Sequence, residues 1–297
     1  MHRFWGVLVG LMTFFSSGHA LVDLDYKIGA GYRQDRFEWS ISDPQSDPSV
    51  SSKLAWEDLY SYNVMGNFKV SICSLTARLK GNYGSIYHGK NQDSDYLEGE
   101  QKQECLRLIS DAGKGEVFDL SAAIGFQTTW FCSLLKIIPL VGWSHHELHL
   151  RQFDGNQTVN LFGDLGKISN LHSNYRAKWE GPWTGVDTFC YLGPWTLYGT
   201  LEYHWAHFNG KGHWNLRWDF LKDFKQGAHA NGTFITLGTQ YQFKWGGLIG
   251  LEGQYVHMKT WHGLDYIYSI YYGNTSLPFN GATWQSYRIL GTLSYMF

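Results

Sequence analysis

Beyond residue 20 the chain has no apolar stretch near the ~20 residues that a membrane-crossing helix needs, and its mean hydropathy is −0.30. Both observations argue against a helical membrane protein. Charge of one sign is also lacking, since 24 Lys and Arg stand against 26 Asp and Glu, a net charge of −2. Such a balance supplies no basic surface for nucleic acid. No phosphate-loop, dinucleotide-binding or zinc-finger spacing occurs. Among 13 histidines, His204, His207 and His213 could suggest a metal site, but no Cys or acidic partner lies at ligand spacing, so no metal centre is expected, and nothing implies a cofactor.

What the chain does have is aromatic residues and alternation. Phe, Tyr and Trp make up 17% of it, with 14 Trp and 19 Tyr. Counting back in twos from the end gives Phe297, Tyr295, Leu293, Gly291, Ile289 and Tyr287, with Arg288, Leu290, Thr292, Ser294 and Met296 between. One face is apolar and aromatic and the other is mostly polar, as in a strand with lipid on one side and a wet interior on the other. Aromatic residues at this frequency suit the two girdles of a membrane barrel. At the other end, His2 and Arg3 precede an apolar run from Phe4 to Phe15 and a small-residue exit from Ser16 to Ala20. This reads as a secretory signal over 1–20, leaving 21–297 as one domain.

The expected fold is all-β: an antiparallel transmembrane β-barrel of about ten strands. Strand one has Leu24, Tyr26, Ile28, Ala30 and Tyr32 outward, with Lys27 and Arg33 inward. Strands two and three run from about Leu54 to Val64 and from Phe68 to Tyr87, with a turn at Met65-Gly66-Asn67. The polar stretches His88–Gly115, Phe153–His172, Asn209–Asn231 and Gly263–Ala282 are expected as loops. On strand six, Tyr175, Ala177, Trp179 and Trp183 are expected outward, with Arg176, Lys178 and Glu180 inward. Strand seven has Leu197, Leu201, Tyr203 and Trp205 outward, with Glu202 and His204 inward. Strands eight and nine have Lys244 and Glu252 inward. Arg176, Lys178, Glu180, Glu202, Lys244, Glu252 and Arg288 would line the lumen and set ion selectivity. Pairing of the first and last strands removes the exposed edges that lipid would not tolerate.

Several stretches resemble the omptins, ten-stranded outer-membrane aspartate proteases. Ser52-Lys-Leu-Ala-Trp56 resembles the opening of their second strand, and Asn91-Gln-Asp-Ser-Asp-Tyr96 their Asp-x-Asp-aromatic motif. Tyr175-Arg-Ala-Lys-Trp-Glu-Gly-Pro-Trp183, Gly199-Thr-Leu-Glu-Tyr203 and the ending Tyr295-Met-Phe297 are similar to later strands. The resemblance implies water activation by an Asp-x-Asp pair, here Asp93 and Asp95, facing an Asp-x-His pair whose His matches His213. The second Asp does not match, because Lys211 stands there. A Lys on the same side of the strand cannot accept the imidazole N–H, and it destabilises an imidazolium.

Four cysteines are many for such a barrel. Cys73, Cys132 and Cys190 fall toward the short-turn end, where Cys73 and Cys132 could pair, while Cys105 falls in the loop after strand three. In size, Trp content and cysteines the chain also resembles the Protochlamydia outer membrane protein family, porins of chlamydia-like bacteria. These readings imply a protein of the outer membrane, in contact with its bilayer and recognised through the last strand by the barrel-assembly machinery. They point to a porin or surface structural protein with an incomplete protease dyad. The alternatives are an omptin-type endopeptidase acting on surface peptides and an adhesin, with lipopolysaccharide as a further partner.

Overall fold

A computed structural model of the chain describes residues 22–42, 50–97, 103–131, 133–271 and 273–296. The signal over 1–20, Cys132 and Phe297 lie outside the described residues. Thirteen strands form one sheet: β1 (Val22–Ile41), β2 (Ser52–Ile72), β3 (Leu75–Tyr96), β4 (Glu104–Asp111), β5 (Gly115–Phe126), β6 (Thr128–Trp130), β7 (Leu135–Asn160), β8 (Gly166–Leu192), β9 (Trp195–His213), β10 (Phe224–Gln242), β11 (Gly247–Thr260), β12 (Gly263–Ser269) and β13 (Gly273–Met296). β4 and β5 both lie between β3 and β7, and β6 continues along β7. β11 and β12 both lie between β10 and β13. The segments therefore fill ten positions around a ring, which β1 closes by pairing with β13 from Asp25–Met296 to Ile41–Phe279. Closure leaves no edge for lipid to meet.

β9 shows how the lipid organises every strand. From Trp195 to Trp205 its odd-numbered side chains are Trp, Leu, Gly, Leu, Tyr and Trp, and Leu197, Leu201 and Trp205 are about half exposed. That stretch matches the ~9–11 residues a tilted strand needs to cross the hydrocarbon core. Between them Thr196, Glu202 and His204 are buried inward. Above Trp205 the polarity reverses: the outward residues become His207, Asn209, Lys211 and His213, and the inward ones Ala206, Phe208, Gly210 and Gly212. Below that level the barrel has a polar interior and an apolar skin; above it, an apolar interior and a polar skin.

The upper interior is an aromatic core built on Phe37, Trp56, Tyr175, Trp179, Phe208 and Trp284, all 0–1% exposed. Phe37 meets Trp179 edge-on with ring centres 5.6 Å apart, and Trp179 stacks on Trp284 at 4.9 Å. The lower interior is an ionic ladder. Glu252 takes Lys27 at 3.2 Å, Arg288 at 3.4 Å and Lys80 at 3.9 Å. Arg78 bridges Asp187, at 2.8 Å, and Glu202, which also accepts from His204 at 3.2 Å. Arg33 joins Asp35 at 2.8 Å and Asp119 at 2.6 Å, with His146 on Asp119 at 2.9 Å. Its guanidinium lies 5.4 Å over the Trp284 ring, where ladder meets core. Buried charge of this kind persists only when paired.

The reversal corrects the reading of β8. Tyr175, Ala177, Trp179 and Trp183 face inward and are buried, not outward. Arg176, Lys178 and Glu180 lie on the outer wall, with Arg176 on Glu147 at 2.6 Å and Lys178 on Glu180 at 2.6 Å. Positions 175–180 stand above the lipid, so the apolar face there is the inner one, while Trp183 lies inward at lipid level with the Arg78 guanidinium 5.0 Å over its ring. Lys244 is likewise not in the lumen but in the exposed turn between β10 and β11.

Strand ends are corrected for a related reason. β2 runs through Met65-Gly66-Asn67 because Tyr62, Val64, Gly66 and Phe68 keep the outward alternation unbroken; the turn is at Cys73-Ser74. The polar stretches expected as loops are largely the upper parts of hairpins. β3 continues to Tyr96 and returns as β4, β7 reaches Asn160, and Gly263–Ala282 holds β12 and the start of β13. A ladder above the membrane needs no apolar outer face. The orientations expected for Lys27, Arg33, Glu202, His204, Glu252 and Arg288 hold, all buried inward. Short turns join β8 to β9 at 193–194 and β10 to β11 at 243–246.

Three stability measurements follow. Leu237, 65% exposed and paired with Gly199 in mid-band, should cost about 2–4 kcal/mol as Leu237→Arg, read by urea unfolding in lipid vesicles. His207→Ala, outward on β9 above the lipid, should change the same reading by less than about 0.5 kcal/mol. Glu252→Gln, close in shape, strands Lys27, Lys80 and Arg288 and should cost about 3–5 kcal/mol.

Candidate functional site at the barrel mouth

The upper end of the barrel opens into a cleft of about 490 Å³ above the aromatic core. Its walls come from the upper parts of β1, β2, β3, β4, β7, β8, β10, β12 and β13 and from the β9–β10 connector, residues 214–223. Asp93 and Asp95, two apart on β3, both line it, half-buried. Burial, and then the neighbouring Asp95 carboxylate, push Asp93 well above the usual carboxylate range, while Arg217 pulls it back. Burial also raises Asp95, against a hydrogen bond from Ser52 and the charge of Arg217. The pair was expected in a loop; it lies on a strand because β3 rises past the lipid.

A third carboxylate, Asp265 on β12, lines the same cleft and is 2% exposed. Burial raises its pKa to about 7, although the Gln226 amide lies near enough to lower it. No hydrogen bond of good geometry reaches Asp265 Oδ1. The Tyr175 hydroxyl donates to Gln226 Oε1 at 2.5 Å just below, and burial together with Asp265 keeps Tyr175 well above the usual phenol range. The expectation of a loop over Gly263–Ala282 hid Asp265. The signal was present as the alternation Leu264, Tyr266, Tyr268 against Asp265, Ile267, Ser269.

His213 is not in this cleft. It is outward on β9, with Nδ1 2.8 Å from Asp223 Oδ1, while Lys211 Nζ lies 2.9 Å from Asp223 Oδ2. Burial opposes ionisation of Asp223, but hydrogen bonds from Lys211 and His213 hold its pKa below the ordinary value. Lys211 and His213 thus share a side, as their spacing implies, and an acid does reach the imidazole, but on the outer wall. The inward positions beside them are Gly210 and Gly212. A Cβ there would run into the Tyr175 hydroxyl and the Phe224 ring respectively, so that wall of the mouth is closed to a working side chain. Among the described residues no histidine lines the cleft, and no group of three His, Cys, Asp or Glu could hold a metal ion.

Glu202, Glu252 and Arg288 face the lumen and are engaged in the ladder. Cys73 has a free thiol in the exposed β2–β3 turn; its expected partner Cys132 lies outside the described residues. Cys105 is buried on β4, not in a loop, with its thiol on the Asp95 carbonyl at 3.3 Å, and Cys190 is free near the end of β8.

Comparison with known proteins agrees with this architecture. The crystal structure of the outer membrane protease OmpT from Escherichia coli superposes with a TM-score of 0.74, covering 93% of this chain and 97% of that one at 15% identity. At that identity the likeness concerns the fold. The outer membrane protein OprG from Pseudomonas aeruginosa covers 92% of this chain and 95% of its own at 10% identity, with a TM-score of 0.36. No curated protein shows significant similarity to the chain. A family model, however, matches residues 27–297, which takes in β1 from Lys27 onward and every later strand of the ring. A ten-position barrel with lipid-facing aromatic bands, matched over that length, belongs to the Protochlamydia outer membrane protein family and to the outer membrane.

Proposed function

We propose that this chain is a closed barrel of the outer membrane, a surface structural protein that acts through its mouth and outer wall and does not conduct solutes. The ionic ladder carries this reading. A selectivity element needs charges free to meet a passing solute. Here Lys27, Arg33, Arg78, Glu202, Glu252 and Arg288 are each 8% exposed or less and bonded to one another or to Asp35, Asp119 and Asp187. Ten strands enclose an interior close to what side chains fill, and the aromatic core seals the level above.

Proteolysis of the omptin kind has less support, since the imidazole that would take a proton from water must reach the carboxylate pair and His213 faces the other side of the wall. Outside, Lys114, Arg151, Arg176 and Lys211 line a groove of about 710 Å³ together with Glu116, Asp154 and Asp223, of which Asp223 pairs with Lys211. This is the surface that would meet anionic headgroups such as those of lipopolysaccharide. At the tips, Trp218 and Tyr271 are 73% and 64% exposed with ring centres 5.7 Å apart, a contact surface consistent with adhesion.

The test is a planar-bilayer recording of refolded residues 21–297. A silent bilayer is expected, and reproducible conductance steps would overturn the closed reading. The same protein, given basic peptides, should leave them intact; cleavage abolished by His213→Ala would restore the protease.

A further inference from the structure

Two buried polar atoms of residues at the mouth cleft lack a hydrogen bond of good geometry, Trp39 Nε1 and Asp265 Oδ1, the latter with the Gln226 amide close by. Their side chains are 4% and 2% exposed, and both line the cleft. One is a donor and one an acceptor. Such atoms are costly in a folded protein unless something completes them. Around them stand Trp214, Phe220 and Phe224, so the walls are aromatic as well as acidic.

The charge is uncompensated. Asp93, Asp95 and Asp265 face one cation, Arg217, whose hydrogen bonds at 2.7 and 2.8 Å go to Asp219. A compact divalent ion does not suit the cleft, because its carboxylates do not converge into a metal cluster. Arg217 shows what does suit it. Its guanidinium lies 4.0 Å over the Phe220 ring while its charge acts on both Asp93 and Asp95. A cation on an aromatic face, beside carboxylates, is the recognition mode for organic cations.

We propose that the mouth cleft binds a small organic ammonium ion with an aromatic or alkyl body, its N–H groups on Asp93, Asp95 and Asp265 and its body against Trp39, Trp214 and Phe220. The ligand class rests on the reading of the barrel as one that acts at its mouth. Arg217, on the connector rim, competes with the ligand for the same charge. The orphaned Trp39 N–H favours a ligand that also carries a hydrogen-bond acceptor.

Phenethylammonium, titrated calorimetrically into refolded residues 21–297 in detergent, tests this against neutral 2-phenylethanol. Saturable one-to-one binding is expected, at least about tenfold tighter for the cation. Asp95→Asn and Asp265→Asn should each weaken it about fivefold or more, and Arg217→Ala should tighten it. Affinity should rise from pH 5 to pH 8 as the raised carboxylates ionise. Arg217 and Asp219 stay charged across that range, and Tyr175 and the Cys105 thiol beside Asp95, both raised by burial, stay neutral.

Equal affinity for cation and alcohol overturns the proposal, as does no saturable heat or binding that survives both Asn changes. Arg217 lies on a half-exposed connector, so its Ala variant tests the idea independently of folding, and weaker binding there also overturns it. Conductance of the same preparation separates the two readings. A conducting barrel that still selects the amine refutes closure alone, and a silent barrel blind to the amine refutes the ligand class alone.

Discussion

Every side chain in this barrel is placed by one boundary, the level at which hydrocarbon gives way to water. A strand cannot change which of its faces points outward without a bulge, yet the solvent outside changes from lipid to water part-way along. The chain answers by exchanging the chemistry of its two faces. On β9 the exchange falls between Trp205 and His207 outside and between His204 and Ala206 inside. On β8 it separates Arg176, Lys178 and Glu180 on the wet outer wall from the lipid-level stretch that begins near Pro182.

The same boundary divides the interior into two materials. Below it, carboxylates, guanidiniums, amines and imidazoles complete one another, since an unpaired charge there would face a large desolvation cost. Above it, Phe37, Trp179, Phe208 and Trp284 pack as in the core of a soluble protein. Arg33, over Trp284 and bonded to Asp35 and Asp119, belongs to both. Filled in this way, the barrel presents its unengaged polar side chains on the outer wall and at the mouth.

At the mouth the likeness to a protease ends for a steric reason. The pair Asp93 and Asp95 lies at the mouth because β3 rises past the lipid to Tyr96. The facing wall is closed where Phe224 and Tyr175 fill the space beside Gly212 and Gly210, and His213 turns outward to Asp223. What remains is a carboxylate cleft with aromatic walls and the orphaned atoms of Trp39 and Asp265, a place suited to holding a ligand more than to moving a proton.

The sequence by itself determined the fold class, the antiparallel ring with its first and last strands paired, the lipid-facing band, and the inward course of Lys27, Arg33, Glu202, Glu252 and Arg288. Alternation with a period of two is a local property, and lipid enforces it strongly. The Asp93–Asp95 pair was legible too, as a motif. Only the tertiary structure decided the phase of β8, the outward turn of His213 and the arrival of Asp265 beside β3. An apolar face is the outer one within lipid and the inner one above it, and the pattern of a single strand does not say where lipid stops. That level emerges when ten strands align their aromatic girdles. Residues 172 positions apart, Asp93 and Asp265, share a cleft only because the ring has closed.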